Sequence, residues 1–317
     1  MRAYSIQDKG GDPVKKLGDV VEIGGKRVPL SNLDKLMWKH EKITKADVVQ
    51  YYTTVASRII PLIRDRPLML NRFPHGVPGQ SFVQKDWPNH PVWVKIAPVP
   101  SESQNKIVGH VVCNDEATLV WLADMACLEI NQFLSTAPKT DWHDMVLVDL
   151  DPYPPASFGD AVEIAGAVHS ALREMKLRHM IKTSGSDGFH FLIPIVPKYP
   201  IETIRKFVLM LGVLMEDLAP RKVSTSRNRA DRIGKVYVDF FQNGLQKTVA
   251  APFTLRPLPG APVSFPIDPK RLKTHLKPEE FNLFTVPEIL KKGGVSEFDI
   301  SPDQTLDGAF RELGVKL

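Results

Sequence analysis

Thiols are almost missing from this chain: Cys113 and Cys127 are its two cysteines. Their spacing matches neither a paired zinc motif nor a redox Cys-x-x-Cys, so zinc and a disulfide framework are not expected and both read as plain buried thiols. Long hydrophobic runs are missing too. No stretch approaches the roughly 18 apolar residues that cross a bilayer. The polar, glycine-containing opening over residues 1–25 lacks the apolar centre of a secretion signal, so a soluble cytoplasmic protein with no membrane partner is expected. There is no internal repeat and no low-complexity linker. Charge of one sign is also scarce: the net charge is only +5, too small for global charge to argue strongly for a polyanionic partner.

What remains is ordinary globular material. With 317 residues, 43% of them hydrophobic, the chain can build one large domain or two lobes sharing a core. Proline is frequent, at 27 residues, and clusters around 194–200 and 252–269, which predicts numerous stiff loops. Basic charge is concentrated rather than absent. Arg221, Lys222, Arg227, Arg229, Arg232 and Lys235 face one acid, Asp231, in a segment too polar for a core element. It reads either as a phosphate-facing loop or as a solvated surface loop.

Local signals place the elements. Gly24 and Gly25 suit the positive dihedrals of a hairpin turn over residues 20–28. Thr44 followed by Asp47 has capping-box spacing, and Val48, Val49, Tyr52, Val55, Ile59 and Ile63 form a stripe at helical spacing. A second helix is predicted to open at Asn114 and run through Leu119, Leu122 and Met125. Further on, strand and helix patterns alternate: a strand over 145–149, a helix capped by Ser157 and reaching about Met175, strands over 180–183 and 189–196, a helix over 202–218, and a strand over 236–241. This β-α-β-β-α-β order predicts an α+β protein with a split ferredoxin-like unit, the arrangement of RNA-recognition modules and many polymerase palms.

The chemistry-bearing residues fall on those strands. Asp149-Leu150-Asp151-Pro152 ends an apolar strand, and because strand side chains alternate faces, Asp149 and Asp151 point the same way. Two such carboxylates converge on a hard cation or else repel each other; the alternative is that Asp151 caps a turn at Pro152 while Asp149 is solvated. Val236-Tyr237-Val238-Asp239-Phe240-Phe241 puts a lone acid in an apolar strand. In this motif the first strand normally lies between the third and the fourth, which makes Asp239 a neighbour of the first two acids. Three carboxylates on adjacent strands suit two Mg²⁺ or Mn²⁺ ions about 3.5–4 Å apart; a satisfied buried acid is the alternative for Asp239. His190 opens the third strand after the turn Ser184-Gly185-Ser186-Asp187-Gly188, placed to reach a triphosphate, with Ser184 and the turn amides offered to phosphate oxygens. Arg232 and Arg256 flank the Asp239 strand and can neutralise a triphosphate, or be ordinary surface arginines.

At these residues the chain resembles the polymerase domain of bacterial DNA ligase D, a branch of the archaeo-eukaryotic primase superfamily. The resemblance runs from about Leu30 to Gly260. It rests on Asp149-Leu150-Asp151-Pro152, Ser184-x5-His190, and Val238-Asp239-Phe240-Phe241-Gln242-Asn243 followed by Thr248, Pro252 and Arg256-Pro257. It implies a primase-polymerase fold with an N-terminal αβ lobe over about 1–140, a ferredoxin-like catalytic lobe over 141–267 and a C-terminal extension over 268–317. It implies Asp149, Asp151 and Asp239 as catalytic metal ligands, manganese favoured, and Ser184, His190, Arg232 and Arg256 as holders of an incoming ribo- or deoxyribonucleoside triphosphate. It also implies recognition of a 5′-phosphate by Asn32, Lys35 and Lys45, and template contacts by Arg72 and Phe82, although Phe82 read alone suits a core equally well.

The function so implied is gap filling and end extension in non-homologous end joining of double-strand breaks, with ribonucleotides preferred. Ligase and nuclease portions fall outside the resemblance, so a separate DNA ligase and a Ku-type end-binding protein are the implied partners. Two departures stand out: Asp187 replaces a usual lysine, and Asn131 stands where some relatives have histidine. A dedicated primase, a metal-dependent nuclease and a catalytically silent DNA-end-binding module are the competing readings.

Overall fold

The computed structural model describes residues 16–17, 20–101, 105–273, 276–295 and 297–314; residues 1–15 of the opening stretch, read above for a secretion signal, lie outside them. The predicted hairpin forms from strands Val20–Ile23 and Lys26–Pro29, turned by Gly24 and Gly25 at φ 54° and 74°, values a side chain would make costly. Helix α1, Lys45–Ile63, starts at the Thr44/Asp47 capping box, and its predicted apolar stripe is wholly buried.

Helix α2, Glu116–Asp124, is capped by Asp115 rather than Asn114. The Asn114 carboxamide is taken by Asp65 instead, accepting from its backbone N–H and donating to its carboxylate, both at 2.8 Å. A four-stranded antiparallel sheet carries, in order, Thr248–Ala250, Cys127–Phe133, Leu68–Arg72 and Phe82–Gln84. One of its two edge strands is therefore the one that bears Phe82.

The predicted β-α-β-β-α-β unit is present as a five-stranded sheet ordered Met180–Thr183, Phe189–Pro194, Met145–Pro152, Val236–Val238 and Val223–Ser224. The first four strands pair antiparallel and the short last one pairs parallel. The Met145–Pro152 strand is central, and residues 145 to 150 are all buried, as expected for a strand covered on both faces. Helices α3, Phe158–Glu174, and α4, Ile201–Leu218, pack on it. Helix α3 opens at Ser157 with a full capping box to Asp160. One contiguous apolar core joins the four- and five-stranded sheets and helices α1 to α4.

Two strands stop earlier than their sequence pattern predicts. The third ends at Pro194, where proline removes a ladder donor. The fourth ends at Val238: Asp239 is not inside it but caps the 3-10 turn Phe240–Gln242, its Oδ1 accepting from Phe241 N–H at 3.0 Å. An aspartate competes with the ladder for backbone donors, so it terminates the strand it was expected to interrupt.

Candidate active site

The three acids meet at one end of the central sheet. Asp149 is paired in register with His190 and Asp151 with Tyr237. The Asp239 backbone N–H donates to the Asp149 carbonyl at 3.0 Å, which pins the later strand's end beside the earlier pair. The carboxylates feel one another. Burial, then the charge of Asp239, pushes Asp149 up to about 7; burial, then the charges of Asp149 and Asp239, pushes Asp151 up to about 8.

The nearby cations Lys182, Arg256 and Arg232 oppose this rise without cancelling it. Asp149 Oδ1 is buried without a hydrogen-bond partner; His190 Nε2 stands 3.2 Å from it but out of hydrogen-bond alignment. An orphaned carboxylate oxygen among mutually repelling acids fits a hard cation, with the oxygen donors such an ion prefers. Among the described residues no three carboxylate, imidazole or thiol groups stand at ligating separation.

The residues around the acids form a connected polar shell. His190 is buried, and its Nδ1 lies 2.6 Å from Lys182 Nζ. Lys182, which the sequence reading passed over, is fully buried in the Met180–Thr183 strand and also reaches Ser264 Oγ at 2.6 Å. The signal that could have found it is the one used for Asp239: a lone charge in an apolar strand.

The 184–188 turn is held differently from expectation. Ser184 Oγ accepts from the Ser186 and Gly188 amides at 3.1 Å each, so those N–H groups point at the turn's own hydroxyl rather than outward to a phosphate. Both glycines are needed. A Cβ on Gly188 would lie 2.2 Å from the Leu150 carbonyl oxygen, and one on Gly185, at φ 79°, 2.5 Å from Arg256 Cγ. Asp187 is exposed at the tip.

Arg256 lies across this turn, donating from Nη1 to the Ser184 carbonyl at 2.5 Å, while its Nε is 3.4 Å from Glu129 Oε2. Glu129, buried on the Cys127–Phe133 strand and not foreseen, accepts in turn from Asn131 Nδ2 at 3.0 Å. Asn131 thus has a structural partner. Arg232 stacks its guanidinium 3.4 Å from the Tyr237 ring centre and donates to Ser226 O and Tyr153 Oη; its charge opposes the rise of Asp151. Neither arginine is a free surface side chain.

The second predicted group also comes together. Asn32, Lys35 and Lys45 line a cleft of about 210 Å³ with Ser31, Arg72 and Asp124. Lys45 is not solvated: it is 5% exposed, paired with Asp124 at 2.7 Å, and donates to the Ser31 carbonyl at 2.6 Å. Lys35 is exposed. Arg72 is fixed by the Met125 carbonyl and Gln84 and lies 5.3 Å from the rings of Phe82 and Trp87. Phe82 is 46% exposed, which removes the core reading. Cys113 and Cys127 are buried, as expected, and burial pushes both thiols up, Cys127 to about 12.

A split ferredoxin-like sheet with acids on its central strand, bordered by arginines and a glycine turn, defines a nucleotidyltransferase of the polymerase kind. The profile of the family described as LigD, primase-polymerase domain, matches residues 44–296, and the chain belongs to that family. It is 28% identical over 297 residues to the bifunctional non-homologous end joining protein LigD of Bacillus subtilis, covering 92% of this chain and 47% of that protein. It is 30% identical over 240 residues to the multifunctional LigD of Mycolicibacterium smegmatis, covering 73% of this chain and 30% of that protein. The chain therefore spans half or less of these relatives' length. Among solved structures, the polymerase domain of Mycobacterium tuberculosis ligase D in complex with DNA superposes with a TM-score of 0.77 at 27% identity, covering 84% of this chain and 96% of that one.

Proposed function

We propose that this chain is a DNA-dependent polymerase that fills gaps and extends ends during non-homologous end joining, and that it engages a 5′-phosphate on the far side of the break. The observation that carries the reading is the convergence of Asp149, Asp151 and Asp239, with Asp149 Oδ1 buried and unpartnered. These acids would hold divalent cations, Mn²⁺ or Mg²⁺, which would supply positive charge beside the phosphates.

The chain's own residues supply the rest. Arg256 and Arg232 are held rigidly beside the acids and neutralise the triphosphate; His190 presents its ring between the acids and the strand behind. Ser184 shapes the turn against which the phosphates lie, through its own amides and the Arg256 contact. Charge placed before the reaction is what phosphoryl transfer needs, since no protein nucleophile takes part. The 3′-hydroxyl of the primer gives up its proton to solvent as its oxygen bonds to the α-phosphorus, the bond from that phosphorus to the α–β bridging oxygen breaks, and pyrophosphate leaves.

In this reading residues 1–140 grip the DNA end, 141–267 carry the chemistry and 268–317 extend it. Asn32, Lys35 and Lys45 receive the 5′-phosphate; Phe82 stacks on an unpaired template base and Arg72 braces it. Ribonucleotides are preferred, a DNA ligase seals the product, a Ku-type protein holds the ends, and the work is done in the cytoplasm at the nucleoid. Among the described residues no helix is long and apolar enough to cross a membrane.

The test is filling of a short gap with Mn²⁺, with and without a downstream 5′-phosphate, using ribo- and deoxyribonucleotides in parallel. Extension stimulated by the phosphate, and reduced by Lys35→Ala, is expected. Equal extension on both substrates removes the end-joining assignment; shortening of the DNA favours a nuclease; binding without any extension favours a silent end-binding module. Lys35→Ala is a cleaner probe than Lys45→Ala, because the latter strips buried Asp124 of its cation.

A further inference from the structure

Lys182 lies behind His190 and has no role in the reading above. Its Nζ makes two contacts of 2.6 Å, to His190 Nδ1 and to Ser264 Oγ. The Ser264 hydroxyl donates to the Thr183 carbonyl at 2.8 Å, so its oxygen receives a hydrogen from Lys182. On the far side of the imidazole, Nε2 faces Asp149 Oδ1 at 3.2 Å, outside hydrogen-bond alignment, and that oxygen has no hydrogen-bond partner. An imidazole that accepts from an amine at Nδ1 carries its hydrogen on Nε2, here the nitrogen turned toward the carboxylate. All donors then run in one direction, from Lys182 through His190 toward the acids.

A fully buried amine is costly, and methionine would fill the same volume without that cost. We propose that Lys182 is a positioning residue: it locks His190 in the Nε2–H tautomer and fixes the ring plane, so that one N–H is presented to the carboxylate cluster and to the phosphates of a nucleotide. Only the last clause rests on the polymerase reading; the tautomer does not. Ser264 is the second anchor, holding Nζ in line with Nδ1.

The experiment begins with ¹⁵N NMR of the His190 imidazole in the unaltered protein, assigned by loss of its signals in His190→Gln. The Nε2–H tautomer is expected; an Nδ1–H ring, or an average of both, overturns the proposal, and this measurement decides alone if Lys182→Met does not fold. If it folds, Lys182→Met releases the ring to a tautomer mixture and raises KM for the nucleotide about tenfold or more, with affinity for 5′-phosphorylated DNA changed less than twofold. The double variant Lys182→Met/His190→Gln is then no worse than His190→Gln alone, because the lysine acts through the histidine. Losses that multiply, or an unchanged tautomer in Lys182→Met, overturn it. A wild-type protein that adds no nucleotide sinks the polymerase reading and leaves the tautomer result standing, whereas an active protein with an Nδ1–H His190 sinks the positioning role alone.

Discussion

Replacing Asp149 by Asn should stabilise the metal-free protein, and increasingly so as pH rises. Asp149 is buried and its carboxyl is raised from 3.8 to about 7, first by burial and then by the charge of Asp239. A group whose folded pKa is raised contributes fully below its unfolded value, near 3.8, and that contribution is lost as pH climbs through about 7. Near pH 8 the ionised, unpartnered carboxylate therefore weakens the fold. About three pKa units at ~1.4 kcal/mol each give an upper figure of about 4 kcal/mol; relaxation and water entry bring the expected value to about 2–4 kcal/mol.

For a chain this long, that is a melting-point change of about 3–6 °C. The assay is thermal unfolding of wild type and Asp149→Asn in EDTA at pH 5 and pH 8, repeated with Mn²⁺. The variant should melt about 1–3 °C higher at pH 5, where the unfolded carboxyl has already ionised, and about 3–6 °C higher at pH 8. With Mn²⁺ at pH 8 the order should reverse, since binding to the folded state alone stabilises it. Indistinguishable melting of both proteins at both pH values without metal would refute the claim that these acids are buried and share one field.

Other perturbations probe different parts of the molecule. Asp144→Ala leaves Arg66, 3% exposed and paired bidentately at 2.7 and 3.1 Å, as a buried unmatched cation; chemical denaturation should register a loss of about 3–5 kcal/mol. Gly188→Ala forces a Cβ to within 2.2 Å of the Leu150 carbonyl, so the 184–188 turn must lift off the central strand, and nucleotide addition assays should fall more than about tenfold while DNA affinity is kept. Phe82→Ala, at an exposed edge-strand position, should leave melting unchanged and weaken binding to gapped template by about 1–3 kcal/mol in a fluorescence titration; a lowered melting temperature would mean that the ring packs rather than stacks.

The order of strands and helices was legible from the sequence because its signals are local. Thr44 with Asp47 and Ser157 with Asp160 lie three residues apart, and the α1 stripe and the run from Met145 to Val148 repeat with the period of their own element. Asp149 and Asp151 could be placed on one face from alternation alone, and the strand order then brought Asp239 beside them. Where local chemistry had two outcomes the reading slipped: Asn114 and Asp115 both suit a cap, and Asp239 could interrupt a strand or end it.

Partnerships made across the fold left no comparable trace. Lys182 meets Ser264 across 82 residues, Arg256 meets Ser184 across 72, and Ser31 meets Asp124 across 93. A hydrogen-bonding pattern within one element has a period, whereas a contact between elements depends on how two surfaces close, which no window of sequence contains. The amino-acid order thus determined which elements form and which acids face one way. The packing of one sheet against its neighbours decided that a lysine is buried behind His190, that Glu129 holds Arg256, and that Lys45 is already paired, because desolvation and partner choice exist only once the surfaces have met.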